Sequence, residues 1–206
     1  MNREFFITAT GTDIGKSFYL QKLCREFKAR RLNFSAIKPI ISGFNIKDEN
    51  NDSALILKAL DLPNSKENLN KISPWRFKAA VSPNVAARLE NKKIDLNEVI
   101  NFCQNHINLA KESGTNLLIE GAGGIMTPIN NKATYLDLMK ALNIPVILVT
   151  GNYLGTISHT LTALEVLYHH KITVAKIILN CKDASIDYQQ NLENLQNFTG
   201  IEIEKI

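Results

Sequence analysis

Short apolar runs alternate with stretches of helical periodicity, and this alternation constrains the fold more than any other feature of the sequence. The runs are rich in Ile, Val, Leu or Phe without a polar residue at every second position, which is typical of parallel strands buried on both faces. They are Phe5–Ala9, Phe34–Ile37, Asn116–Ile119, Pro145–Thr150 and Val174–Leu179, with Ile201–Ile206 as a weaker sixth. Strands that alternate with helices predict an α/β fold in three layers, with a mostly parallel central sheet and helices on both of its faces.

The domain organisation follows from length and regularity. The chain has 206 residues, which suits one well-buried domain, so residues 1–206 are predicted to form a single domain. The stretch Pro63–Asp95 holds three prolines and no clean period. We expect it to be an excursion from the α/β core.

Composition excludes several classes of protein. Hydrophobic residues make up 45% and charged residues 21% of the chain, which argues against disorder. The net charge of +4 is diffuse, so no nucleic-acid or membrane partner is expected. The cysteines Cys24, Cys103 and Cys181 lie far apart in apolar segments and predict buried free thiols in a reducing compartment. The first apolar run is too short for a signal peptide, and the predicted location is cytoplasmic.

The strongest chemical signal is the segment Ala9–Ser17, ATGTDIGKS, which follows the first predicted strand and opens a helix. Backbone N–H groups in such a loop bind phosphate oxygens, and the helix N-terminus adds a favourable dipole. Lys16 can reach the β- and γ-phosphates, and the Ser17 hydroxyl can ligate Mg²⁺. The strict motif has a further glycine where Thr10 stands, so this is a variant loop. It predicts nucleotide-phosphate binding in a P-loop NTPase-like fold.

Carboxylates at two other positions are candidates for the magnesium that accompanies a nucleotide. Glu120 ends a predicted strand and precedes a glycine-rich turn, Gly121–Gly124. Mg²⁺ prefers hard oxygen ligands, and glycines let the backbone approach a ligand closely. Asp52 stands where a helix N-cap is expected, so from the residues alone it is either a cap or a metal ligand.

Polar residues follow three further strands. Lys38 ends the second predicted strand and is either a partner for anionic groups or a surface lysine. The turn Thr150–Thr156 opens a helix whose free N–H groups can hold a carboxylate or a phosphate. Asn180 follows the fifth run and is either a base-reading amide or a turn residue.

Taken in order, these motifs resemble the dethiobiotin synthetase family over nearly the whole chain. The residues that carry the resemblance are the loop ending Gly15-Lys16-Ser17, Lys38-Pro39 with Ser42-Gly43, Asn51-Asp52, Ser82–Ala87, Glu120–Gly124 and Leu154–His159. The resemblance implies an ATP- and Mg²⁺-dependent ligase of biotin biosynthesis. In this reaction CO₂ and 7,8-diaminopelargonate form a carbamate, the γ-phosphoryl group of ATP activates it as a carbamic-phosphoric anhydride, and the second amine closes the ring.

The resemblance also implies roles for individual residues. It assigns ATP and its metal to Thr12, Asp13, Ile14, Gly15, Lys16, Ser17, Phe18, Asp52, Glu120, Gly121, Ala122, Gly123 and Asn180. It makes Ser17, Asp52 and Glu120 the Mg²⁺ ligands and makes Lys16 and Lys38 catalytic. It implies a homodimer whose diamine site is lined by Ser42, Ser82 and Pro83 of one chain and by Gly155, Thr156, Ile157 and Ser158 of the other.

The sequence departs from the family pattern at four places, one of which is Ser17, which replaces the commoner Thr and keeps the hydroxyl. Asp13 stands where many members have Glu, and Ala9 replaces a usual loop glycine. Relatives usually continue past a proline near the adenine, whereas this sequence ends at Ile206, so the resemblance leaves base selectivity open.

Two other functions stay open as alternatives. One is a partitioning or cell-division switch ATPase of the ParA or MinD kind. Such proteins carry a second lysine near the start of the loop, where this chain has Thr8–Gly11. The other is an amidating enzyme similar to cobyrinate diamide synthase, which normally carries a fused glutaminase that this chain is too short to contain.

Overall fold

A computed structural model describes residues 3–182 and 187–206 of the protein. All five strong apolar runs are strands, and the weaker sixth is a short strand. In chain order the strands are β1 (Glu4–Ala9), β2 (Phe34–Ile37), β3 (Ile40–Ser42), β4 (Trp75–Phe77), β5 (Asn116–Glu120), β6 (Val146–Gly151), β7 (Val174–Asn180) and β8 (Ile203–Lys205). The predicted α/β class is confirmed.

Six of these strands form one parallel sheet in the order β2-β5-β1-β6-β7-β8. From β1 the chain crosses to β2 on one side, and it later returns through β5 to β6 on the other side. Right-handed crossovers in opposite directions place their helices on opposite faces of the sheet. The direction of the chain therefore reverses beside β1, and ligands of open α/β sheets bind at the carboxyl end of such a reversal.

Eight helices connect the described strands. They are α1 (Lys16–Ala29), α2 (Asp52–Ala59), α3 (Lys66–Ile72), α4 (Pro83–Leu89), α5 (Leu96–Ser113), α6 (Tyr135–Leu142), α7 (Thr156–His169) and α8 (Tyr188–Thr199). Helix α1 packs on β1, β2 and β5, while α7 packs on β6. Within the described part of the chain, no helix is both long and apolar enough to cross a bilayer.

The segment predicted to be an irregular excursion is more ordered than its sequence indicates. It contains α3, β4 and α4, and β4 pairs with β3 in a separate two-stranded parallel sheet. Both strands of this sheet have only three residues, which is too short for a periodic pattern to identify them.

The core lies between the sheet and its helices. The central strands are almost wholly buried, with Leu118 of β5 fully inaccessible to solvent. Cys24 and Cys103 are buried free thiols as predicted, but Cys181, which follows the carboxyl end of β7, is only partly buried.

Replacing a core side chain tests this packing. We expect Leu118→Ala to lower the free energy of unfolding by about 2–5 kcal/mol, because the central strand cannot collapse around the cavity. Leu89→Ala is the matched control, since Leu89 is 63% exposed and its loss should cost less than about 1 kcal/mol. Urea unfolding of both variants measures the difference, and equal losses would show that β5 is not central to the core.

Candidate functional site

The predicted phosphate loop lies between β1 and α1, at the reversal of chain direction. Gly15 caps α1 with a φ of 112° and no side-chain hydrogen bond, so the first N–H groups of the helix have no cap from this residue. Asp13 also has a positive φ, of 56°, a conformation that Asp tolerates better than most residues. The loop therefore presents uncapped backbone donors at a helix N-terminus, as anion binding requires.

Lys16 is buried against this loop. Its ammonium donates to the Gly11 carbonyl at 3.3 Å, and the residue is only 6% exposed. Burial lowers the pKa of Lys16 to about 8, because desolvation of the ammonium outweighs the attraction of Glu120, and Lys38 adds repulsion. An anion placed in the loop would favour the charged form again.

Strand register places Lys38 beside Glu120. Ile37 of β2 pairs with Ile119 of β5, so Lys38, the residue after β2, lies beside Glu120, the last residue of β5. The Lys38 ammonium lies 2.7 Å from Glu120 Oε1 and also donates to Asp52 Oδ2. The Ser17 hydroxyl donates to the same Glu120 oxygen at 2.6 Å. Three separate segments thus meet around the buried ammonium of Lys38.

The carboxylates determine the charge state of this cluster. Burial alone would lower the pKa of Lys38, but Glu120 and Asp52 outweigh it and hold that pKa above its usual value. Burial would likewise raise the pKa of Asp52, but the neighbouring Lys38 ammonium holds it below the usual range. At neutral pH both Lys38 and Asp52 are therefore charged.

The structure excludes one of the two interpretations of Asp52, the helix cap. Asn51 is the N-cap of α2, and its side chain accepts from the Ala54 N–H at 3.0 Å. Asp52 is the first residue of the helix and its carboxylate contacts Lys38 instead. The capping interpretation of Asp52 is wrong, because its neighbour already fills that role.

Most of the predicted site residues line one cleft of about 690 Å³ at the carboxyl edge of the sheet. Those that line it are Thr12, Asp13, Gly15, Lys16, Ser17, Phe18, Lys38, Ser42, Asp52, Ser82, Pro83, Ala122 and Gly123. Glu120 is 1% exposed and reaches the cleft through its contacts with Lys38 and Ser17. Gly121 does not line the cleft. It packs against the core, where an added Cβ would stand 3.0 Å from the Phe6 ring.

The remaining predicted residues face other cavities. Ile14 and Asn180 line a neighbouring cavity of about 590 Å³ on the far side of the loop. Gly155, Ile157 and Ser158 line a third cavity at the start of α7. The Thr156 side chain points into the protein, where its hydroxyl bonds to Thr150 Oγ1 at 2.9 Å. Within one chain, therefore, the α7 residues do not join the main cleft.

Four residues of the cleft were not predicted from the sequence: Ala80, Val81, Thr127 and Pro128. Thr127 supports the glycine-rich turn by accepting from the Gly124 N–H at 2.9 Å. Gly124 itself packs on the phosphate loop, with an added Cβ 3.3 Å from the Ala9 carbonyl oxygen. The proximity of Thr127 to that turn is the one signal that could have identified it, whereas Ala80 and Val81 carry no chemical signature.

The sheet order and the loop define a nucleotide-binding α/β protein of the P-loop kind. A ParA family ATPase from Chlorobium tepidum TLS aligns with all of this chain and 84% of its own, with a TM-score of 0.58 and 16% identity. MinD from Aquifex aeolicus aligns with all of this chain and 82% of its own, with a TM-score of 0.59 and 14% identity. Likeness at this level of identity shows the fold alone.

Comparison with proteins of similar sequence identifies the family within this class. A family model described as an AAA domain matches residues 3–203. The ATP-dependent dethiobiotin synthetase BioD of Methylobacterium nodulans is 40% identical over 179 residues, 85% of this chain and 79% of the relative. The protein of the same name from Caulobacter vibrioides is 40% identical over 197 residues, 95% of this chain and 88% of the relative. The chain belongs to this AAA-domain family and, more narrowly, to the ATP-dependent dethiobiotin synthetases.

The lowered pKa of Lys16 predicts how the free energy of unfolding depends on this residue and on pH. In the unfolded chain a lysine has a pKa of about 10.4, so below pH 8 the folded protein holds a charge that burial disfavours. We expect Lys16→Met to stabilise the ligand-free protein at pH 7, by as much as about 3 kcal/mol. The gain should shrink between pH 8 and 10, where the folded protein releases this proton before the unfolded chain does.

Urea unfolding of both proteins at a series of pH values measures this difference. Lys71→Met is the control, since the side chain of Lys71 is 59% exposed and should give a small, pH-independent change. A Lys16→Met protein that is less stable than the parent at pH 7 would contradict the assignment of Lys16 as a destabilising buried charge.

Proposed function

We propose that this protein converts 7,8-diaminopelargonate, CO₂ and ATP into dethiobiotin in the cytoplasm. An amine nitrogen of the diamine attacks the carbon of CO₂ and loses a proton, forming a carbamate. A carbamate oxygen then attacks the γ-phosphorus, and ADP leaves. The second amine attacks the carbonyl carbon of the resulting anhydride, the C–O bond breaks, and phosphate is released as the ring closes.

One observation carries the proposal: two lysines, two carboxylates and two hydroxyls from separate segments meet at one cleft. Lys16 and Ser17 come from the loop after β1, Lys38 and Ser42 from the ends of β2 and β3, and Asp52 and Glu120 from α2 and β5. Phosphoryl transfer is catalysed mainly by positioning and by neutralising charge, and these groups can do both.

The donor set fits a magnesium ion. Glu120 Oε2 is buried and has no hydrogen-bond partner among the described residues. Because buried carboxylate oxygens are normally paired, this atom is available to a cation or a hydrogen-bond donor. Ser17, Asp52 and Glu120 offer the hard oxygens that Mg²⁺ prefers. When bound there with ATP, the ion would neutralise phosphate charge and help to orient the transferred group.

The two lysines have different tasks in this proposal. Lys16 lies against the loop and would contact the β- and γ-phosphates. Their negative charge would favour the protonated form of the Lys16 ammonium. Lys38 stands between the loop and Ser42, where an ammonium can balance the carbamate and the phosphoryl group moving towards it. No histidine lines the cleft among the described residues, so an amine of the substrate must lose its proton to another group or to solvent.

The cleft also offers partners to an amine substrate. Ser42 Oγ is buried and unpaired among the described residues while its residue lines the cleft, and Ser82 and Pro83 line the same cleft. Helix α7 begins at Gly155 without a side-chain cap, which suits the carboxylate end of the diamine. Because α7 does not reach the cleft of its own chain, we propose a homodimer in which the partner's α7 completes the diamine site.

A switch ATPase of the ParA or MinD kind is the second candidate, and only the fold supports it. The stretch Thr8–Gly11 lacks the additional lysine that such proteins carry, while Lys38 and Ser42 line the cleft as a carboxylating enzyme needs.

Phosphate release tests the proposed reaction. We expect release from ATP only when Mg²⁺, bicarbonate and the diamine are all present, with dethiobiotin identified by mass. Lys38→Met should lower turnover by at least about 100-fold, because the developing charge loses its buried ammonium. Lys92→Met is the control, since Lys92 pairs with Glu90 away from the cleft.

Folding must be checked alongside activity, because Lys38→Met leaves Glu120 buried without its ammonium partner. Circular dichroism at the assay temperature gives this check. Rapid ATP hydrolysis without the diamine would favour the switch ATPase, and full activity of folded Lys38→Met would exclude its role at the carbamate.

The proposed shared site predicts complementation between two inactive chains. Lys38→Met and Ser158→Trp should each be inactive alone, the second because a large ring blocks the partner's diamine site. After mixing and subunit exchange, about a quarter of the parent activity should return, since half of the dimers are mixed and one of their two sites is intact. Activity of Ser158→Trp alone, or no recovery in mixed dimers verified by mass, would contradict a site built from two chains.

A further inference from the structure

We propose that Asn180 is a positioning residue that holds the phosphate loop in its anion-binding conformation, whatever base the nucleotide carries. This inference rests on the proposed function of the loop as the triphosphate site. It assigns Asn180 a task distinct from the base contact that the family resemblance implies.

The side-chain amide of Asn180 is bonded to the loop. Its Nδ2 donates to the Ile14 carbonyl at 2.9 Å, across 166 positions of sequence. Ile14 directly precedes Gly15 and Lys16, the residues that open α1. The bond therefore anchors the loop at the peptide immediately before the N–H groups proposed to hold phosphate.

Its partners also define the orientation of this amide. The Lys182 N–H donates to Asn180 Oδ1 at 3.1 Å, while the Ile14 carbonyl can only accept. A flipped amide would set acceptor against acceptor and donor against donor. Two of the four hydrogen bonds that the amide can form are thus used to hold the chain, which leaves less of it to read a base.

Neighbouring strand ends hold Asn180 itself in place. The Asn152 N–H after β6 donates to the Asn180 carbonyl at 2.9 Å, in continuation of the β6–β7 register. Asn152 is in turn bonded through Oδ1 to Nδ2 of Asn191 on α8 at 2.7 Å, and both residues are nearly buried. The residue that contacts the loop is therefore part of a hydrogen-bonded network that connects the ends of β6 and β7 with α8.

The packing at Gly15 shows how closely the phosphate loop and the Asn180 side chain fit together. A Cβ built on Gly15 would stand 2.3 Å from Asn180 Nδ2, so the side chain fills the space where any other residue at position 15 would extend. Asn180 thus covers the back of the loop while Lys16 and Ser17 face the cleft.

This contact has a consequence that separates positioning from base recognition. If the amide only read the base, its loss would weaken ATP and spare a ligand that has no base. If the amide preorganises the loop, its loss adds the free-energy cost of ordering the loop to the binding of every polyphosphate. We expect the loss of one such bond to weaken both kinds of ligand about 5- to 20-fold.

Inorganic tripolyphosphate, measured as a competitive inhibitor against ATP in the full protein, is the probe. In Asn180→Leu, which keeps the shape of the side chain, its inhibition constant and the KM for ATP should rise by the same factor. The KM for the diamine should not change. Asn194→Ala is the control, since Asn194 bonds within α8 to the Gln190 carbonyl and its loss should alter none of these constants.

A second measurement covers the case in which Asn180→Leu does not fold. In Asn180→Ala, hydrogen exchange at the amides of residues 12–16 should be at least about fivefold faster than in the parent, with exchange in β5 unchanged. A rise in the KM for ATP with no change for tripolyphosphate, or unchanged exchange of the loop, would overturn the inference and leave the proposed function intact. A parent protein that binds neither ATP nor tripolyphosphate would overturn both.

Discussion

The buried ion pairs between Lys38 and the carboxylates of Glu120 and Asp52 are the interaction on which the site depends. A lone ammonium or carboxylate in this position would be strongly disfavoured by burial. Lys38 and Asp52 keep each other charged, and the two ion pairs connect β2, β5 and α2 at the edge of the sheet. The Ser17 hydroxyl, bonded to the same Glu120 oxygen, ties the phosphate loop to this cluster. One electrostatic arrangement thus joins the phosphate loop, β2, β5 and α2.

The cluster sets Lys38 apart from Lys16. Both ammonium groups are nearly buried, yet the pKa of one is raised and that of the other is lowered. The difference arises because Lys38 contacts two carboxylates, while the one hydrogen bond that Lys16 donates among the described residues goes to a backbone carbonyl. Lys16 is therefore the group that gains most from an incoming anion. In the proposed site, the buried Lys16 ammonium would favour phosphate binding at a cost in the stability of the ligand-free protein, as is common in binding sites.

Much of the fold was predictable because its signals are local. Buried parallel strands are continuous apolar runs, and a loop ending in GKS after the first of them predicts phosphate binding from the chemistry of backbone donors. The small sheet of β3 and β4 was missed, because strands of three residues have no period. Asp52 could not be assigned from the residues alone, since Asn and Asp both cap helices and they stand next to each other in the chain.

Local sequence patterns were enough to identify the class of the fold, the candidate phosphate loop and the polar groups near the ends of the strands. Which of those groups meet became clear from the three-dimensional contacts. Strand register set Lys38 beside Glu120, the order of the strands brought Asn180 to the back of the loop, and packing turned Thr156 inward while leaving α7 outside the cleft of its own chain. These outcomes depend on contacts between residues distant in the chain, because side chains from separate strands are brought together by the geometry of the sheet and not by their spacing in sequence.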